Sequence, residues 1–148
     1  MPEKKTLERA KEDKREGKAP STQAGEFVRE EIEHVREGKH GARSTKQAIA
    51  IGLAKARRAG VDLPPPKEGE ASTTTRKQAA RDLRKGKSAS KGKKSTKRSR
   101  AASKALKREG HSAASKKALS RQARSAAAKR SAKSRSRSAK KAAATRKK

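Results

Sequence analysis

An all-α protein is predicted, in which a small helical hairpin, the head, precedes a long basic tail. Of the 13 Leu, Ile, Val and Phe residues, ten lie before residue 67 and three after it. Charge has the opposite distribution, with a net +4 over residues 1–66 and a net +26 over residues 67–148. A segment of high charge and low hydrophobicity cannot offset the entropy of ordering by burial. We therefore predict that the tail is mostly disordered but helix-prone.

Three parts follow from this distribution: a solvated helical arm over 1–20, the hairpin head over 21–66 and the Lys, Arg, Ala and Ser-rich tail over 67–148. Pro64–Pro66 forms a stiff spacer at the second boundary. The chain has no cysteine, which excludes disulfides and thiolate metal sites. No apolar run approaches the roughly 20 residues that span a bilayer. The charged N-terminus has no hydrophobic signal core, so a cytoplasmic protein is expected.

The first hairpin helix is predicted over about residues 23–37, with Ser21 or Thr22 as its cap and Gly38 at its end. Apolar residues spaced i, i+4, i+8 and i+11 form one stripe along it. That stripe consists of Ala24, Val28, Ile32 and Val35. The opposite face is predicted to be acidic and solvated, with Glu26, Glu30, Glu33 and Glu37.

The second hairpin helix is predicted over about residues 45–59, with Ser44 as its cap. Ile49 and Leu53 face the first helix, and Gly52 beside them allows close approach. Ile51 points away and is left bare by a two-helix hairpin. Either the following Val61 and Leu63 fold back over it, or a second copy covers it in a homodimer through the head. The predicted packing and self-association residues are Val28, Ile32, Val35, Ile49, Ile51 and Leu53.

The same aliphatic residues of 49–53 also alternate with period two, as in a β-strand. The alanine and glycine between them are poor strand formers, so helix is favoured. In the tail, helix-prone segments are expected at about 74–85, 98–109 and 115–130. Each contains a single leucine, and single anchors do not build a core.

No arrangement of catalytic residues is found, so an enzyme and a small-molecule substrate are not expected. His34 lies at metal-chelating spacing from Glu30 and Glu37. A solvated acidic face is the simpler interpretation, and neither a metal nor a cofactor is predicted. The glycine- and lysine-containing stretches 17–22 and 38–45 do not have the spacing of a Walker A loop.

The loop over residues 38–46 is basic, contains glycine and leads into a helix N-terminus, where free N–H groups favour an anion. It is predicted to seat a nucleic-acid phosphate at Ser44 and Thr45, the alternative being a solvated loop with an ordinary cap. A helix-turn-helix is a further alternative. The connection is longer than usual in that motif, and a stabilising third helix is weak or missing.

The tail is predicted to bind a polyanion, because its net charge could neutralise about 26 phosphates. It has no aromatic residue for stacking on single strands. It also lacks the bulky apolar face of a membrane-surface helix, so no membrane partner is expected. The predicted phosphate contacts are Lys39, His40, Arg43, Ser44, Thr45, Lys46, Arg57, Arg58, Arg76, Lys77, Arg81, Arg84, Lys97, Arg98, Arg100, Lys116, Lys117, Arg121 and Arg124.

The head resembles a family of small basic bacterial proteins built on a domain of unknown function. Residues 43–56, Arg-Ser-Thr-Lys-Gln-Ala-Ile-Ala-Ile-Gly-Leu-Ala-Lys-Ala, carry the resemblance, which covers about 20–66. The segment 105–114 looks like the companion tails of such proteins. In composition alone, the whole tail is similar to the C-terminal tails of linker histones and bacterial histone-like proteins. The resemblance implies a bacterial cytoplasmic protein and no catalytic residues.

The function expected is therefore non-enzymatic, largely sequence-independent DNA binding with charge neutralisation and compaction, as in nucleoid-associated proteins. Charge does not separate DNA from RNA, so an RNA- or ribosome-associated protein is the first alternative. A stress-protective disordered protein without a fixed partner is the second.

Overall fold

A computed structural model of the chain describes residues 1–88 and 95–146, and helices fill most of both ranges. Within these ranges there is no strand, so the helical interpretation of residues 49–53 is confirmed. The α-helices are α1 (Lys4–Arg15), α2 (Pro20–Arg36), α3 (Thr45–Arg58), α4 (Thr73–Lys87), α5 (Thr96–Lys107), α6 (Lys116–Ala128) and α7 (Ala132–Arg146). A short 3-10 helix, Ser112–Ala114, precedes α6.

The prediction of a mostly disordered tail is wrong, because α4 to α7 make the tail helical over most of its described length. Three of these helices begin at a serine whose hydroxyl accepts a backbone N–H of the first turn, Ser72, Ser95 and Ser115. Such caps supply partners for N–H groups that the helix itself leaves unpaired. Alanine, the best helix former, fills much of the remaining sequence. The helix α7 was not predicted from the sequence at all.

The helix α1 packs on α2, which in turn packs on α3, so the head contains three helices rather than a hairpin with a separate arm. Phe27, 1% exposed, belongs to a buried cluster that joins all three helices with the chain after α3. Its other members are Ala10, Ala24, Ala56 and Val61, with Leu7, Leu53 and Leu63 packed against them. Phe27 is the largest side chain of the cluster.

A second buried cluster contains residues of the tail. Ala113 and Ala114, from the 3-10 helix, are 7% and 0% exposed. They pack with α2, α3 and the loop between them, and Leu119 of α6 lies against the same cluster. The remaining members are Ile32, Val35, Ala42 and Ala48, with Val28 partly buried beside them.

The helix α4 packs on α3 and buries Ala79 and Asp82. Asp82 accepts hydrogen bonds from Arg58 Nε at 2.8 Å and from Gln78 Nε2 at 3.1 Å. Ile51 is half-buried in the single chain, and the homodimer through the head stays a prediction. Val61 and Leu63 pack with the Phe27 cluster. Of the part of the chain described, no helix is long and apolar enough to cross a membrane.

Candidate functional site

The second described range, residues 95–146, presents eighteen lysine and arginine side chains, and all of them are exposed. Glu109 is the single acidic residue in this range. None of the eighteen has a carboxylate oxygen of a described residue within 4.0 Å. We call these side chains the tail basic surface. It includes seven of the predicted phosphate contacts: Lys97, Arg98, Arg100, Lys116, Lys117, Arg121 and Arg124.

One part of this surface is a row on α6. Lys117, Arg121 and Arg124 are spaced i, i+4 and i+7, which places them along one side of a helix. Together with Ser120 they line a shallow depression. The orientation of α6 is set by Leu119, which packs against the core cluster. The row is therefore carried by a helix that is fixed to the head.

On α4, Lys77, Arg81 and Arg84 are also exposed, and no carboxylate among the described residues lies within 4.0 Å of them. Arg76 is half-buried and lies 3.9 Å from Glu68. Three of the four contacts predicted on this helix are thus cations open to solvent.

Several donors around the predicted phosphate seat are paired with the chain itself. Gly41 N donates to Leu106 O and Ala42 N donates to Gly110 O, each at 2.9 Å. Thr45, 8% exposed, donates its hydroxyl to the carbonyl oxygen of Ala113 at 2.7 Å. Ser44 caps α3 as predicted, accepting from Gln47 N at 3.2 Å. Of the residues predicted here, Arg43, Ser44 and Lys46 remain exposed.

Two side chains complete this docking of residues 106–114, which we call the docking segment. Arg36 Nε donates to Ala114 O at 2.9 Å. His111 Nδ1 lies 2.9 Å from Val35 O, and because a carbonyl only accepts, Nδ1 is the donor. The sequence contained one signal for this contact, the recurrence of Arg-Glu-Gly followed by histidine at 36–40 and 108–111. That signal was too short to identify a docking contact.

The other head residues predicted to contact phosphate have partners inside the protein. Lys39 lies 3.3 Å from Glu3 and 3.0 Å from Glu37. The carboxylates of Glu37 and Glu3 raise the pKa of Lys39 above its ordinary value. His40 Nε2 lies 3.1 Å from a Glu31 oxygen. Arg58 is bound to Asp82, as described above.

Arg57 has a structural role in this fold. It is 6% exposed, and it donates to Leu63 O at 3.1 Å and to Pro64 O at 3.2 Å. Burial lowers the pKa of the Arg57 guanidinium below its ordinary value. The side chain therefore ties the proline spacer to the end of α3.

Replacing Arg57 by lysine should lower the free energy of unfolding by about 1.5–3 kcal/mol, the range for hydrogen bonds to charged groups. A single ammonium lacks the planar fork that reaches both carbonyl oxygens. Urea denaturation measures the decrease. A variant as stable as the wild type would show that Arg57 does not have this structural role.

The face of α2 predicted to be acidic and solvated is partly buried. Glu30 and Glu31 are 4% and 1% exposed, because α1 packs against α2 and α3 lies on its other side. Glu3 N donates to Glu30 Oε2 at 3.1 Å. Lys55 of α3 lies 2.5 Å from Glu31 Oε2 and 3.5 Å from Glu30 Oε1. The prediction failed because neither α1 nor Lys55 was expected at this face.

Two histidines border these carboxylates. His34 Nε2 donates to Glu3 Oε1 at 2.9 Å, and the His34 and His40 rings meet edge to face with centroids 6.1 Å apart. The hydrogen bond from His34, followed by that from Lys39, lowers the pKa of Glu3. From the sequence, His34 has metal-chelating spacing with Glu30 and Glu37. Its actual neighbours, Glu3 and His40, come from other parts of the chain.

Comparison with known proteins gives a family match for the head. Residues 4–67 match a family of unknown function, DUF6496. The match begins with α1 and ends just after the proline spacer, so it covers the three-helix head and leaves the tail outside. No curated protein and no solved structure matches the chain.

Proposed function

We propose that this protein binds duplex nucleic acid through phosphate contacts, without catalysis and largely without sequence preference. The tail basic surface supports the proposal, with eighteen exposed cations and no carboxylate of a described residue within 4.0 Å of any of them. An exposed cation that is not paired in the protein is available to a phosphate, and each one that binds releases condensed counterions from the nucleic acid.

The distribution of acidic groups supports the same assignment. Ten of the fifteen acidic residues lie before residue 38. Several of them bind cations of the head, including Lys39, Lys55 and His40. The head thus uses part of its charge for its own folding. Its proposed role is to hold the docking segment and α6, and so to fix where part of the tail's charge lies.

A duplex is proposed rather than a single strand because no aromatic side chain is available for stacking on bases. Phe27 is the sole aromatic residue of the Phe, Trp and Tyr type, and it is buried. Lysine also outnumbers arginine in the tail, which favours charge neutralisation over bidentate recognition of bases. We propose DNA as the partner, with neutralisation and compaction as the outcome and the bacterial nucleoid, in the cytoplasm, as its location.

The test is the salt dependence of binding to unrelated DNA duplexes. If about 10 phosphates are contacted, the logarithm of the association constant should fall against the logarithm of salt concentration with a slope near −9. Duplexes of different sequence should give the same slope and similar affinities. A slope near zero, or strong preference for one duplex, would contradict the proposal. Tighter binding to structured RNA in direct competition would favour the RNA-associated alternative.

A charge-matched pair of variants locates the interface. Changing Lys117, Arg121 and Arg124 to glutamine removes the α6 row, and the slope should become shallower by about 0.9 for each phosphate that is no longer neutralised, or roughly 2.7 in all. The control changes Lys11, Lys14 and Arg15 of α1 to glutamine, since these are exposed and have no described carboxylate within 4.0 Å. Both variants remove three positive charges. Equal effects would show that net charge alone, and not this surface, determines binding.

A further inference from the structure

A cluster of three potential metal ligands lies where α2 meets the loop before α3. The ligand atoms of Glu31, His34 and His40 all lie within 4.8 Å of one another. Glu31 and His34 are three residues apart on α2, so they project from the same side of the helix. His40 comes from the loop. We propose that these three side chains bind a divalent transition-metal ion such as Zn²⁺.

The contacts of His40 place its Nε2 nitrogen beside Glu31. His40 Nδ1 lies 3.0 Å from the Gly41 carbonyl oxygen, which can only accept, so Nδ1 carries a proton. Nε2 lies 3.1 Å from Glu31 Oε1. With Nδ1 engaged at the Gly41 carbonyl, Nε2 is the ring nitrogen left to bind an ion, and it lies beside Glu31 Oε1.

The local charge favours the metal ion. Four carboxylates, Glu3, Glu30, Glu31 and Glu37, are joined to two lysines, Lys39 and Lys55. These four carboxylates and two lysines together carry a net charge of −2, which one divalent cation neutralises. Glu30 Oε1 is buried and accepts no hydrogen bond, and the nearest described cation is the Lys55 ammonium 3.5 Å away.

The surroundings orient the proposed ligands as those of metal sites do. Lys55 binds the second oxygen of Glu31, Oε2, and leaves Oε1 directed at His40. The Gly41 carbonyl fixes the His40 ring through Nδ1, the arrangement usual for metal-binding histidines. Two histidines and one glutamate are a ligand set that Zn²⁺ accepts, with a fourth position for water or another carboxylate. The half-buried histidines give an ion access from solvent.

Zinc titration of the full-length protein by calorimetry tests the site. One equivalent should bind, and His34→Gln and His40→Gln should each weaken binding by about 100-fold, as expected for missing or misoriented ligands. Glutamine was chosen because its amide N–H can still hydrogen-bond the glutamate beside each histidine. The control is His111→Gln, which removes the third histidine of the chain outside the cluster and should leave zinc affinity unchanged.

A second measurement uses the wild-type protein, so that a misfolded variant cannot decide the outcome. Nitrogen-15 NMR of the histidine rings should show zinc-induced shifts for His34 and His40 and none for His111. Absence of binding at micromolar zinc would overturn the proposal and leave the cluster as a structural network of hydrogen bonds and ion pairs. Shifts at all three histidines alike would show adventitious zinc binding only.

Discussion

Gly52→Ala should destabilise the protein by about 1–3 kcal/mol or more, the usual cost of forcing an extra group into a packed core. A Cβ at residue 52 would lie 2.6 Å from Val28 Cα and 2.9 Å from Val28 N. These are backbone atoms of α2, so no side-chain rotation relieves the contact. The two helices must separate, and α2 with α3 forms the most extensive helix contact in the described structure.

The matched control is Gly25→Ala, which introduces the same methyl group on α2. A Cβ at residue 25 would meet nothing within 4 Å. Alanine is the better helix former, so this variant should gain about 0.5–1 kcal/mol. Urea denaturation followed by circular dichroism measures both changes. Equal stability of the two variants would mean that α2 and α3 do not approach as closely as the structure shows.

Gly52 also shows what could be predicted from the sequence. Its place beside Ile49 and Leu53, and the cap at Ser44, depend on residues close together in the chain. Local periodicity and capping chemistry determine such features, and the bounds of α2 and α3 were predicted within about three residues. The buried state of Glu30 depends instead on Glu3, 27 residues earlier. No local pattern indicates that contact.

The tail was predicted incorrectly for a different reason. Counting large apolar residues left it without a core, yet it docks through Ala113 and Ala114 and through carbonyl oxygens of Leu106 and Gly110. Small side chains and backbone groups stabilise this contact, and every residue has those backbone groups. Composition therefore does not reveal it. For the same reason, the acceptors of Gly41 N and Ala42 N in the loop before α3 could not be predicted.

Gly41→Ala should release the docking segment from the head. A Cβ at residue 41 would collide with the carbonyl group of Glu109 and come within 2.7 Å of Gly110 O. Relieving that overlap requires the two backbones to separate, which breaks the hydrogen bonds from Gly41 N and Ala42 N. If the cost is about 1–3 kcal/mol, hydrogen exchange at Ala42 should accelerate by roughly 5- to 150-fold.

Gly110→Ala is the control, because a Cβ there would meet nothing within 4 Å and its backbone is not in the left-handed region. The exchange rates of Gly110→Ala should match those of the wild type. If Ala42 were as protected in Gly41→Ala as in the wild type, the docking contact would be contradicted.

The same two variants also separate the effect of the tail's charge from the effect of where that charge is held. Both variants keep all eighteen cations of the tail basic surface, so binding to long DNA should persist in each. If docking sets the position of α6, changing Lys117, Arg121 and Arg124 to glutamine should alter the salt slope less in the Gly41→Ala variant than in the wild type. In the Gly110→Ala variant, the same change should alter the slope as much as it does in the wild type.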